Sequence, residues 1–67
     1  MRYEQITKGM LIFNYATGNA IHGVVVSINA KEMIVYWSKT FLLANTTCVY
    51  RKNTIKLYIE HDIFQFC

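Results

Sequence analysis

Gly23-Val24-Val25-Val26-Ser27-Ile28-Asn29-Ala30-Lys31-Glu32-Met33-Ile34-Val35-Tyr36-Trp37-Ser38 is the stretch on which the fold of this chain turns. Val24, Val25, Val26 and Ile28 form one apolar run, and Met33 to Trp37 form another, joined by the polar Asn29-Ala30-Lys31-Glu32. Both runs are rich in β-branched and aromatic residues, which suit a pleated, half-buried surface. A connection this short joins antiparallel neighbours, because parallel strands need a much longer crossover. The stretch is therefore expected to be the central hairpin of a small β-barrel. Alternation places His22, Val24, Val26 and Ile28 on one face of the first arm, with Ile21, Gly23, Val25 and Ser27 on the other. In the second arm Met33, Val35 and Trp37 alternate with Ile34, Tyr36 and Ser38. One barrel cannot bury both faces of such a hairpin. Either Val24, Val26 and Ile28 with Val35 and Trp37, or Val25 with Ile34 and Tyr36, must look outward or meet the rest of the chain.

Outward from the hairpin, the remaining elements are short. Residues 1–9 are a lead-in that ends at Gly9, where a positive φ or a close backbone approach is expected. Met10 to Tyr15 reads as a first strand, and Ala16 to Ala20 as a loop with turn chemistry at Gly18-Asn19. Gly23 in the second strand is expected to mark a bulge or a sharp bend. Lys39 to Asn45 reads as one helical turn, or as a loop that folds Phe41 and Leu42 over an open barrel end. Thr46 to Arg51 is a further strand, Arg51 to Thr54 a polar turn, and Ile55 to Ile59 a last strand with Ile55, Leu57 and Ile59 inward. Glu60-His61-Asp62 interrupts, and Ile63 to Cys67 closes the chain. Five short strands spaced by turns point to an all-β barrel, since closure removes exposed edges.

Sixty-seven residues make one domain, 1–67, with a core at 6–59 and a C-terminal extension at 60–67. A domain this small buries only about 60% of its unfolded surface and needs a dense core. The composition meets that need: 54% of residues are hydrophobic, 15% aromatic and only 16% charged. Part of the apolar surplus is expected on the surface as a partner or oligomer face. Net charge is +3 with a pI near 9.0. Of the basic residues only Arg51, Lys52 and Lys56 cluster, a thinner stripe than a dedicated nucleic-acid binder carries. The two cysteines, Cys48 and Cys67, together with the polar start Met1-Arg2-Tyr3-Glu4, suit free thiols in a reducing cytoplasm. No apolar run approaches the roughly 18 residues of a membrane span, so no membrane partner is expected.

The order of elements resembles the SH3-like small barrels, including Tudor- and KOW-type domains and many short proteins of tailed bacteriophages. The residues that carry the likeness are Ile6-Thr7-Lys8-Gly9-Met10-Leu11-Ile12, Gly18, Gly23-Val24-Val25-Val26, Ile34-Val35-Tyr36-Trp37, Tyr50 to Ile55, and Leu57. They span about residues 6–59, at the level of a fold pattern. The resemblance implies a small binding module, with the host cytoplasm or the virion as its location if phage-encoded.

Chemistry is scarce. The acids are Glu4, Glu32, Glu60 and Asp62 alone, and no nucleophile stands beside a base in a recognisable motif. Neighbours in Glu60-His61-Asp62 would point to opposite sides of an extended chain. His22, His61, Cys48 and Cys67 have no short ligand spacing for zinc. No enzyme, cofactor, metal or small-molecule substrate is expected. Tyr15, Tyr36, Trp37, Tyr50 and Tyr58 could form an aromatic cage or stacking platform, or could pack with Tyr36 and Trp37 on opposite sides of the sheet. The apolar tail at Ile63, Phe64, Phe66 and Cys67 either adds a strand to the barrel edge or docks on a neighbouring chain. The expected function is a non-enzymatic module working through protein–protein contacts or self-association, as a host-factor modulator or minor assembly component. Its contact residues are expected at Tyr36, Trp37, Tyr50, Phe64 and Phe66. The alternative is nucleic-acid binding through Arg51, Lys52 and Lys56 beside Tyr50 or Tyr58, which would weaken steeply with salt.

Overall fold

The fold is seen in a computed structural model that describes residues 1–16, 18, 20–38 and 46–67. A 3₁₀ turn at Tyr3–Gln5 precedes β1 (Leu11–Asn14), β2 (Ile21–Ile28), β3 (Glu32–Trp37) and β4 (Thr46–Arg51). Then come a helix, α1 (Lys52–Glu60), and a last strand, β5 (Phe64–Phe66). The five strands form one antiparallel sheet in the order β4-β3-β2-β1-β5. The expectations at 39–45 and at Asn19 lie outside the described residues.

The central hairpin forms as its sequence demands. Asn29 tightens the turn, its side-chain oxygen accepting the backbone N–H groups of Lys31 at 2.8 Å and Glu32 at 2.9 Å. That is the local bonding by which Asn favours turns. Register then departs from simple alternation. Val25 faces Val35, but Ser27 faces Ile34 and Ile28 faces Met33, so Val26 is an extra residue in a bulge. The bulge shifts parity: Val25 and Ile28 both look inward, with Met33, Val35 and Trp37, while Val24 and Tyr36 share the other face. Neither of the two groupings expected from alternation survives this slip. Gly23 is not the bulge. It is a site of close approach, where a Cβ would lie 2.7 Å from the Tyr36 carbonyl oxygen and 2.8 Å from Cε3 of Trp37.

Residues 55–59 are the main correction. They lie in α1, not in a strand, and the polar segment before them is the helix's first turn. Ile55 is fully buried and Tyr58 and Ile59 are partly buried against the core, a spacing of three and four, while Leu57 is 49% exposed. A five-residue window fits both periods, and packing against the sheet decides between them. The helix ends in a Schellman motif. Asp62 sits at φ 58°, its N–H donating to the Ile59 carbonyl at 3.1 Å, and Ile63 N–H reaches back to the Tyr58 carbonyl at 2.8 Å. This turn aims the tail at β1, where Ile12 faces Phe66 and Asn14 faces Phe64. The apolar tail is thus a strand of its own sheet.

The barrel is not closed. β4 and β5 are the two ends of the sheet and share no ladder. The sheet curls strongly enough, however, that Tyr50 of β4 meets Phe64 of β5 with ring centroids 5.3 Å apart. Side chains and α1 fill the gap that backbone pairing leaves. The resulting core is Tyr3, Ile6, Ile12, Val25, Met33, Val35, Trp37, Ile55 and Phe64.

Candidate interaction surface

The aromatic residues separate by face. Phe64 is the hub of the inner set, with its ring centroid 5.8 Å from Trp37, 5.3 Å from Tyr50 and 4.9 Å from Tyr58. The contacts with Tyr50 and Tyr58 are edge-to-face, a geometry that adds to ordinary burial. The Trp37 indole N–H donates to the Tyr50 hydroxyl at 3.0 Å, so both polar ends are satisfied inside the sheet. Burial pushes the Tyr50 phenol up to about 12, the indole bond pulling the other way and Cys48 adding to the rise. Trp37 and Phe64 are 3% and 2% exposed. Neither can touch a partner without unfolding, and Tyr50 and Phe66 are also turned to the core side. No cage forms from the tyrosines and Trp37: Tyr36 is on the outer face, and Tyr15 stands exposed beyond the end of β1.

Of the expected contact residues, Tyr36 alone stands on the outer face, and the register shows what accompanies it. Leu11, Val24, Tyr36 and Thr47 lie in one cross-strand row running from β1 to β4. Ser27, Ile34 and Val49 form the adjacent row. Val26 projects beside them from the bulge. Leu11 is 47% exposed, Val26 42%, Tyr36 39% and Val49 58%. The one charged pair in register on this face is Glu32 opposite Arg51, at its far end. Antiparallel sheets with one solvated side usually turn polar residues to water. This one turns aliphatics outward across four strands.

Leu11 and Val49 were not singled out from sequence, and Val26 and Ile34 stood in opposite ones of the two groupings expected to look outward. For Leu11 the available signal was a first strand with bulky residues on both faces, and for Val49 its alternation with Cys48 and Tyr50. Alternation named Val26 as a residue that could look outward, but only the bulge places it beside Ile34.

Lys31, Arg51 and Lys52 sit at the hairpin-turn end, whereas Lys56 stands beside Arg2 and Glu60. An open groove of about 470 Å³ is lined by Ala30, Lys31, Glu32, Arg51, Lys52 and Asn53. Lys52 is committed: its ammonium lies 3.1 Å from the Glu4 carboxylate and 5.6 Å from the centre of the Tyr3 ring. A bond from its own backbone N–H, then the Lys52 contact, holds the Glu4 carboxyl below its ordinary range. The Tyr3 phenol is raised, first by burial and then by Glu32 and Glu4, and donates to the Asn29 carbonyl at 2.9 Å. Arg51 and Lys56 are exposed, but Tyr50 and Tyr58 turn toward Phe64. Among the described residues the structure therefore does not bring an exposed ring alongside these cations. Among the described residues no three His, Cys, Asp or Glu side chains gather in a way that could hold a metal ion. No helix there is long and apolar enough to cross a membrane.

Comparison of the chain with protein-family models, curated proteins and solved structures found no match in any of the three.

Proposed function

We propose that this chain is a small non-enzymatic binding module that acts through protein–protein contacts, and that the outer face of its sheet is the surface it uses. One observation carries the reading: exposed Leu11, Val26, Tyr36 and Val49 lie on the same face as Val24 and Ile34, aligned by register. Apolar area gathered in this way marks contact sites more often than scattered hydrophobics do. We also read the fold as an SH3-like barrel left open. The four-strand meander, the return of the last strand to β1 and the contact of Tyr50 with Phe64 across the gap support that relation. The likeness to short phage proteins adds a finer role, as a modulator of a host protein or a minor part of an assembly.

The test is affinity capture from bacterial lysate with the wild-type chain and with a Leu11→Lys/Val26→Lys chain. The reading expects a protein held by the wild type in high salt and lost from the variant. Equal retention by both chains contradicts it. So does capture of nucleic acid that is released by salt and abolished in an Arg51/Lys52/Lys56 alanine variant.

A further inference from the structure

The tail is used within its own sheet, and this leaves β4 as the long end strand. Native sheets protect their edges by short strands, bulges, prolines or inward-pointing charges. The opposite end has one of these devices, since β5 is only three residues long. β4 has none. Its six residues, Thr46–Arg51, pair with β3 without a register shift, its core-facing residues are Thr46, Cys48 and Tyr50, and its one charge is terminal Arg51. Thr, Val and Tyr are strong strand formers.

The backbone bonds show which groups on this edge look outward. Lys31 and Lys52 continue the β3–β4 register by one step, and Lys52 N–H donates to the Lys31 carbonyl at 2.9 Å. On the other side of β3, Ser38 N–H donates to the His22 carbonyl at 3.1 Å, one step beyond Gly23 opposite Trp37. Bonding alternates along an antiparallel ladder. Tyr50, Cys48 and Thr46 therefore bond to β3, and Thr47, Val49 and Arg51 turn their N–H and C=O groups away from it. Among the described residues no strand meets those groups.

We propose that β4 pairs antiparallel with β4 of a second copy of this chain, about a two-fold axis at Val49. This register sets Val49 opposite Val49 and Thr47 opposite Arg51, so every outward backbone group of these residues finds a partner across the axis. A pairing centred on Cys48 leaves the groups of Arg51 unmatched within β4, and one centred on Arg51 opposes like charges. The chosen axis also covers Val49, which at 58% is the most exposed large hydrophobic among the described residues. Pairing with β5 of another copy would supply only its three residues. The dimer joins two sheets edge to edge and makes their outer faces continuous. It uses the edge, whereas the capture variants above alter the face at Leu11 and Val26, so either idea can fail alone.

Sedimentation equilibrium of the full chain, from micromolar to millimolar, tests this. The expected result is a weak monomer–dimer equilibrium, with Val49→Lys raising the dissociation constant at least about tenfold, since two lysines would then face each other. Val49→Cys, in a chain also carrying Cys48→Val and Cys67→Ser, supplies the geometric readout. Cα atoms about 5.5 Å apart in such a pair are within disulfide range. Mild oxidation should then link two chains much faster than Leu57→Cys on exposed α1 in the same background. A chain that stays monomeric throughout, assemblies that keep growing with concentration, or linkage no faster than that of Leu57→Cys would overturn the proposal.

Discussion

The two faces of the sheet are made from the same strands and nearly the same side chains, yet among the described residues only one is packed against other elements. On the inner face Ile12, Met33 and Val35 are fully buried and Val25 is 1% exposed. On the outer face Leu11 and Val49, each a single residue away from an inward-facing neighbour, remain about half exposed. Hydrophobicity does not distinguish the faces. What distinguishes them is α1, the 3₁₀ turn and Phe64, all of which pack on the inner side. Half-exposed, the outer aliphatics are expected to contribute little to folding in the monomer, and in the proposed function their apolar area meets another molecule.

That contrast can be broken most sharply at Trp37. Trp37→Ala removes the ring on which Tyr50 and Phe64 pack, and should cost about 3–5 kcal/mol of unfolding free energy in urea titration. A loss under about 1 kcal/mol would mean that the inner cluster is not the core. Gly23→Ala comes next. Its Cβ would press on the Tyr36 carbonyl and the Trp37 ring, for an expected loss of about 1–3 kcal/mol. An unchanged midpoint would show that β2 and β3 are less tightly apposed than described.

Tyr50→Phe is expected to cost about 1–2 kcal/mol, because the Trp37 indole N–H loses its acceptor. The wild type also carries a pH signature. Tyr50 releases its proton at about 12 in the fold, against about 10 in an unfolded chain. Across that window the unfolded chain binds fewer protons, so stability is complete below the unfolded value and falls as pH rises through the folded one. Thermal melts between neutral and alkaline pH should show this decline, and Tyr50→Phe should lessen it, leaving the part due to Tyr3, whose phenol is also raised. An equal decline in the variant would assign the effect to another group.

The first four strands and the hairpin turn were legible from sequence, because each combines β-branched content with a turn signal such as Asn29. The helix was not: Ile55, Leu57 and Ile59 fit a strand, whereas Ile55, Tyr58 and Ile59 fit a helix, and only the sheet beneath them decides. The bulge was equally hidden, since nothing in Val24-Val25-Val26 says which valine is extra. That one residue turns Ile28 to the same side as Val25, whereas Trp37, Tyr50, Phe64 and Phe66, expected at a surface, turn inward because the core forms on their side of the sheet. The reading that set Tyr36 and Trp37 on opposite sides of the sheet did not say which ring lies outside; Tyr36 does, at 39% exposed against 3% for Trp37. The aliphatics around it became visible only through cross-strand register.

The central claim is that the outer apolar face serves contact and not folding. It is tested most directly by equilibrium unfolding of a chain carrying Leu11→Thr, Val26→Thr and Val49→Thr together, which keeps strand-forming residues while removing apolar area. The account predicts an unfolding free energy within about 1 kcal/mol of wild type. A loss as large as that of Trp37→Ala would contradict it, because the outer face would then be a second core.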